Sequence, residues 1–159
     1  MYGYRFLKLH SLFGGLTEEE MNKIRPLFKE QHFTKNEYIL KENKNNDRLY
    51  FICEGSVEIM RNIECAEGTV TQRIAALGVG DTFGEMELID IQPCAATVRA
   101  TEDTVVLTLS NADFHKISKM DLKSFTLIVM NLAREISRRL RRMDALLAKN
   151  FRDDKNNSN

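Results

Sequence analysis

The densest run of chemistry-bearing residues is Gly80-Asp81-Thr82-Phe83-Gly84-Glu85-Met86-Glu87-Leu88-Ile89, followed by Pro93-Cys94-Ala95-Ala96-Thr97-Val98. The pattern predicts a short helix starting near Gly84. The first N–H groups of such a helix lack intrahelical partners and suit an anion. Glycine at 84 allows a ligand to come close to the backbone. Glu85 can accept hydrogen bonds from a sugar hydroxyl, or it can sit beside a helix N-terminus for local electrostatics alone. Cys94 has two readings as well: a thiol activated by a nearby helix N-terminus, or a small inert residue filling space. The second is preferred.

Other candidates are weaker. Arg134, Arg138, Arg139, Arg141 and Arg142 cluster within nine residues. They form either a contact surface for nucleic acid or an acidic partner, or the solvated face of an amphipathic helix balanced in part by Glu135 and Asp144. The solvated face is the preferred reading. His10, His32 and His115 are dispersed, and no His–carboxylate cluster marks a metal site. Cys53, Cys65 and Cys94 give an odd count without metal-type spacing, which fits a reducing compartment. No nucleophile–base pair stands out, so an enzyme is not expected. The formal net charge is zero, and nothing global draws the chain to nucleic acid or an anionic membrane. The N-terminus does not read as a signal peptide and no apolar run spans a bilayer, so a cytoplasmic, non-membrane protein is expected.

The elements that must position these residues follow from periodicity. Thr17 and Glu20 form a capping box ahead of Met21, Ile24, Leu27 and Phe28, and Pro26 should shorten or kink that helix. This gives an N-terminal helical segment over 1–32. Short strands are predicted at 38–40, 49–52, 57–60, 69–71, 73–75, 96–98 and 105–107, separated by Asn-, Asp- and Gly-rich turns. Such spacing indicates a sandwich or barrel over 33–122. A short helix is predicted at 111–118. A long amphipathic helix follows at 123–149, with Phe125, Val129, Leu132, Ile136, Leu140, Met143 and Leu147 three or four apart. The polar tail 150–159 is expected to be disordered.

The segment 80–98 resembles the phosphate-binding cassette of cyclic-nucleotide-binding domains, the family of the catabolite activator protein and the regulatory subunits of cAMP-dependent protein kinase. Asp47-Arg48-Leu49-Tyr50-Phe51-Ile52 with Gly55 resembles the strand and turn ahead of the cassette, and Val98-Arg99-Ala100 through Leu107 the strands after it. The resemblance implies a mostly β fold with flanking helices: a double-stranded β-helix jelly roll followed by a long C-terminal helix. It also implies a ligand site at Phe83, Gly84, Glu85, Met86, Glu87, Cys94, Ala95, Ala96 and Thr97. In the family, the glutamate at position 85 holds the ribose, and an arginine after the proline clamps the cyclic phosphate.

This chain departs from that pattern. Cys94 stands at the arginine position and cannot offer a charged fork. Glu87 stands where the family usually has alanine. Met143 and Asp144 fall where the activator's long helix presents hydroxyls to the purine. The resemblance therefore implies a non-enzymatic sensor module with weakened or altered binding of cAMP or cGMP, and no certain cofactor. In the activator family the long helix pairs with its mate. A homodimer through Val129, Leu132, Ile136, Leu140, Met143 and Leu147 is expected, or docking to a partner protein. A ligand-free dimerisation or docking module is the alternative, and nucleic-acid contact through the arginine helix the weaker one. No room for a DNA-binding domain is seen after Leu147.

Overall fold

The computed structural model describes residues 3–90 and 92–157, with side chains described except those of 3–5, 87, 88, 90 and 150–157. The N-terminal signals resolve into helix α1 (Gly3–Leu9), a 3-10 turn (Ser11–Phe13) and helix α2 (Glu18–Ile24). The capping box forms: Glu20 N–H donates to Thr17 Oγ1 at 3.3 Å, and Thr17 N–H donates to Glu20 Oε2 at 2.7 Å. Pro26 lies in a 3-10 turn, Arg25–Leu27, that ends the helix, because proline cannot donate to the preceding turn.

The β region begins earlier than the sequence suggests. Strand β1 (Lys29–Phe33) falls inside the segment read as helical. Its sequence KEQHF carries little apolar alternation because it is an edge strand, paired only with β8. Then come β2 (Tyr38–Leu40), β3 (Arg48–Glu54), β4 (Val57–Cys65), β5 (Gly68–Leu77), β6 (Thr82–Phe83), helix α3 (Glu85–Asp90), β7 (Thr97–Ala100) and β8 (Thr104–Ser110). The two short strands predicted at 69–71 and 73–75 are one strand, β5, kept continuous by a bulge opposite Ile59/Met60. Asn36 and Asn43 take φ of 69° and 63°, left-handed turn positions that asparagine tolerates.

The strands form two four-stranded sheets in the orders β1-β8-β3-β6 and β2-β7-β4-β5, all pairs antiparallel. This is the predicted jelly roll. Strand β3 shows why its alternation matters. Leu49 and Phe51 point into a core shared with the helices, whereas Tyr50 and Ile52 point into the core between the sheets. A one-residue slip would exchange the two sets.

Helix α4 (Asn111–Met120) is capped by Ser110, and helix α5 (Leu122–Asn157) by Asp121, whose carboxylate accepts from Lys123 N–H at 3.0 Å and Ser124 N–H at 3.3 Å. Those backbone and hydroxyl donors, led by the Ser124 hydroxyl, hold the Asp121 carboxyl below its usual range. α5 has 36 residues, and at 1.5 Å per residue it extends about 54 Å. It continues through 150–157, where the polar composition predicts disorder. No glycine or proline follows Pro93 to interrupt it.

The face of α5 also differs from the predicted stripe. Ser124, Ile128 and Leu132 are buried, with Phe125 and Ile136 packed against the same core. Leu132, assigned to a dimer seam, therefore belongs to the chain's own interior, and Ile136, assigned to the same seam, is half-buried against that core. Val129 is 37% exposed, and Leu140, Met143 and Leu147 are 59%, 61% and 54% exposed. Among the described residues, no helix is long and apolar enough to cross a membrane.

Candidate functional site

The site is built from the turn Gly78–Asp81, strand β6, helix α3 and the entry to β7. Asp81 closes the turn by accepting from Gly78 N–H at 2.9 Å, and β3 holds it through Gly80 N–H to Ile52 O at 3.0 Å and Ile52 N–H to Asp81 O at 3.1 Å. β6 then pairs with β3, and the Phe83 ring stacks on Tyr50 with centroids 4.7 Å apart and planes 5° from parallel. Phe83 is thus a buried anchor of the cassette.

Gly84 is required, but by the protein itself. Its φ is +80°, and a Cβ there would lie 2.5 Å from Arg48 O and 2.9 Å from Asn46 Nδ2. Close approach to the start of β3 and left-handed backbone both demand glycine. The Asn46 side chain braces this junction by donating to Arg48 O at 2.7 Å and accepting from Arg48 N–H at 3.1 Å.

Glu85 opens α3 and is buried. Its Oε1 accepts from Arg139 Nη1 at 2.7 Å. The same guanidinium donates through Nη2 to Thr82 O at 2.6 Å and to Thr82 Oγ1 at 3.1 Å. Arg139 therefore ties the long helix to β6 and to the first residue of α3. The sequence placed Arg139 in a cluster read as a solvated face and did not single it out from the four other arginines as the partner of Glu85. One signal could have found it. Counting back by three and then four from Arg139 gives Ile136 and Leu132, so Arg139 continues the face that turns inward.

The rest of the arginine cluster behaves differently. Glu135 Oε2 accepts from Arg138 Nε at 3.1 Å and Nη2 at 2.7 Å, and Arg139 and Arg142 lie within 3.7 Å and 3.5 Å of Oε1. Burial pushes the Glu135 carboxyl up, but these guanidinium groups, Arg138 foremost, outweigh it and hold the carboxyl below its usual range. One carboxylate, Glu135, thus gathers three of the five guanidinium groups along the helix.

At the other end of the cassette, Cys94 is 1% exposed and packs in the core between the sheets beside Tyr50, Phe83 and Val98. Its backbone is fixed by Cys94 N–H to Lys44 O at 2.8 Å and Asn43 N–H to Cys94 O at 2.9 Å. The side chain fills space in that core. Met86 and Ala95 are exposed, Ala96 is half-buried, and Thr97 Oγ1 accepts from Glu42 N–H at 3.1 Å. The side chain of Glu87 lies outside the described residues. The structure brings Phe83, Gly84 and Glu85 together with Arg139, and it turns Cys94 into the interior. Among the described residues, no group of three or more His, Cys, Asp or Glu side chains could hold a metal ion.

Comparison with known proteins agrees with this geometry. Residues 30–121 match the family model of the cyclic nucleotide-binding domain. The chain is 30% identical over 138 residues to the cyclic AMP receptor protein of Thermus thermophilus, covering 87% of this chain and 61% of that protein. It is 30% identical over 112 residues to a cAMP-dependent protein kinase regulatory subunit of Debaryomyces hansenii, covering 70% of this chain and 23% of that one. Among solved structures, the catabolite activator protein of Thermus thermophilus superposes with a TM-score of 0.73 at 31% identity, covering 86% of this chain and 61% of that one. The chain thus spans less than two thirds of the length of these relatives. Strands β2 to β8 and the cassette turn on β3 lie within residues 30–121, and the long helix follows from Leu122: the chain belongs to the cyclic nucleotide-binding domain family.

Proposed function

We propose that this chain is a non-enzymatic regulatory module whose long helix is docked on the cassette by Arg139, and whose response to cyclic nucleotide is weakened by the loss of a cassette arginine. The single observation that carries this reading is the Arg139–Glu85–Thr82 cluster. Glu85 is the carboxylate that a ribose hydroxyl would seek, and it already holds a guanidinium from α5. A nucleotide entering there must share or displace that contact. Binding and the seating of α5 are then coupled, because a ligand shifts an equilibrium by its differential affinity for the two states. With Cys94 turned into the core, the cyclic phosphate lacks a forked charged partner from the cassette. Two hydrogen bonds to a charged group contribute roughly 1.5–3 kcal/mol each, so affinity should be lower by about two to four powers of ten. The exposed distal stripe Leu140, Met143, Leu147 then carries the signal outward by pairing with a second copy.

A second reading, a ligand-free docking module, draws on the same burial of Cys94 and the same satisfaction of Glu85 by Arg139. Thermal shift with cAMP and cGMP separates the two. A nucleotide at 100 times its dissociation constant should stabilise the fold by about 2.7 kcal/mol. A shift at millimolar nucleotide supports the sensor, whereas none with either nucleotide leaves the ligand-free module. Cys94→Arg is the sharper variant. It should lower the melting temperature of the free protein, because the guanidinium must leave the core, yet bind cAMP more tightly than wild type. Binding no tighter than wild type would overturn this account of the cassette.

A further inference from the structure

His10 lies at a junction that the nucleotide reading does not use. It precedes the 3-10 turn Ser11–Phe13, and its ring contacts three elements at once. Nδ1 accepts from Leu12 N–H at 3.2 Å, capping that turn. Nε2 faces Gly80 O at 3.0 Å, in the turn that leads into β6. The carbonyl can only accept and the amide can only donate, so these two partners demand the neutral imidazole with its proton on Nε2. Phe6, Phe13 and Phe51 surround the ring, with centroids 5.6, 6.1 and 5.2 Å away. The charged groups that act on it are Asp81 from the cassette turn and Glu135 and Arg139 from α5.

We propose that His10 is a proton-operated latch that fastens the N-terminal segment to the cassette turn when neutral and loosens it when charged. A second proton can go only to Nδ1. There it meets the N–H of Leu12, and the cap of the 3-10 turn is lost. The Nε2–H bond to Gly80 O survives, so the change is directed at the N-terminal side. That turn also seats the long helix, since Asn131 Nδ2 donates to Leu12 O at 3.0 Å and to Gly14 O at 2.9 Å. Releasing Leu12 therefore loosens the bed on which α5 lies, whether or not a nucleotide binds.

The balance of surroundings favours the neutral ring. Burial among the phenyl groups holds the imidazole below its ordinary value of 6.5; the Gly80 carbonyl, Glu135 and Asp81 pull upward and are outweighed, while Arg139 acts with burial. A histidine whose folded-state value is depressed contributes stability that is present above the unfolded value. That contribution is lost as pH falls from there toward the folded value. The latch is closed near pH 7.5 and opens on acidification below 6.5.

The test is an NMR titration of His10 in the full chain, with amide exchange measured at about pH 7.5 and again below the His10 midpoint found in that titration, corrected for intrinsic rates. His10 should titrate below 6.5. Leu12 amide protection should fall roughly two- to tenfold on acidification, as expected for one lost hydrogen bond. His10→Gln, which keeps a donor and an acceptor but does not titrate, should abolish that fall. A His10 midpoint at or above 6.5, or the same loss of Leu12 protection in His10→Gln, would overturn the latch. If His10→Gln does not fold, the wild-type midpoint and Leu12 protection decide alone.

Discussion

The two halves of α5 share an amphipathic pattern but have different surroundings. From Ser124 to Arg139 the helix lies on the jelly roll: Ile128 and Leu132 are 0% and 3% exposed, Asn131 grips the N-terminal turn, and Arg139 grips the cassette. From Leu140 onward the apolar residues Leu140, Met143, Leu146 and Leu147 are all more than half exposed. A helix of about 54 Å outruns a small β domain, so periodicity alone does not say what a stripe covers. The proximal half belongs to the fold and touches the cassette through Arg139. The distal half is apolar surface without a cover from this chain among the described residues.

That contrast can be broken by substitution. The largest effect should come from Leu132→Ala. Removing a fully packed leucine leaves a cavity and should cost about 2–5 kcal/mol in chemical denaturation. A cost below 1 kcal/mol would mean that the proximal half is not core. Next is Arg139→Met, which keeps much of the stem but leaves the Glu85 carboxylate without its guanidinium. The pair is partly open to solvent, so a loss of about 1–2 kcal/mol is expected, together with faster amide exchange in α3. Equal exchange in both proteins would show that Arg139 does not hold the cassette. The smallest effect on folding should come from Leu140→Ser combined with Met143→Ser, within about 0.5 kcal/mol per site as for surface positions.

Much of this fold was legible from residue types. The spacing of short strands between Asn-, Asp- and Gly-rich turns indicated a sandwich or barrel, and Thr17 with Glu20 fixed the start of α2. What stayed hidden has physical causes. β1 is a polar edge strand, so KEQHF shows no buried face. β6 has only Thr82 and Phe83, too short for a period. In α5, the inward face includes the buried Ser124, whose hydroxyl donates to Asp121 at 2.8 Å, so hydrophobicity alone does not mark that face. At the site, Glu85, Phe83 and Gly84 were visible as a motif. The partner of Glu85 lies 54 residues away and came into view only through the packing of the helix. The loss of arginine at Cys94 was plain in the sequence, but its burial depended on where β7 begins.

The central claim is that α5 joins a cassette-bound half to a self-pairing half. Sedimentation equilibrium of the full chain, wild type beside Leu140→Ser/Met143→Ser, tests it most directly. The account predicts a wild-type dimer at micromolar concentration and a folded monomer for the double variant, with thermal stability otherwise retained. A wild type that remains monomeric over that range, or a double variant that dimerises as the wild type does, would contradict it.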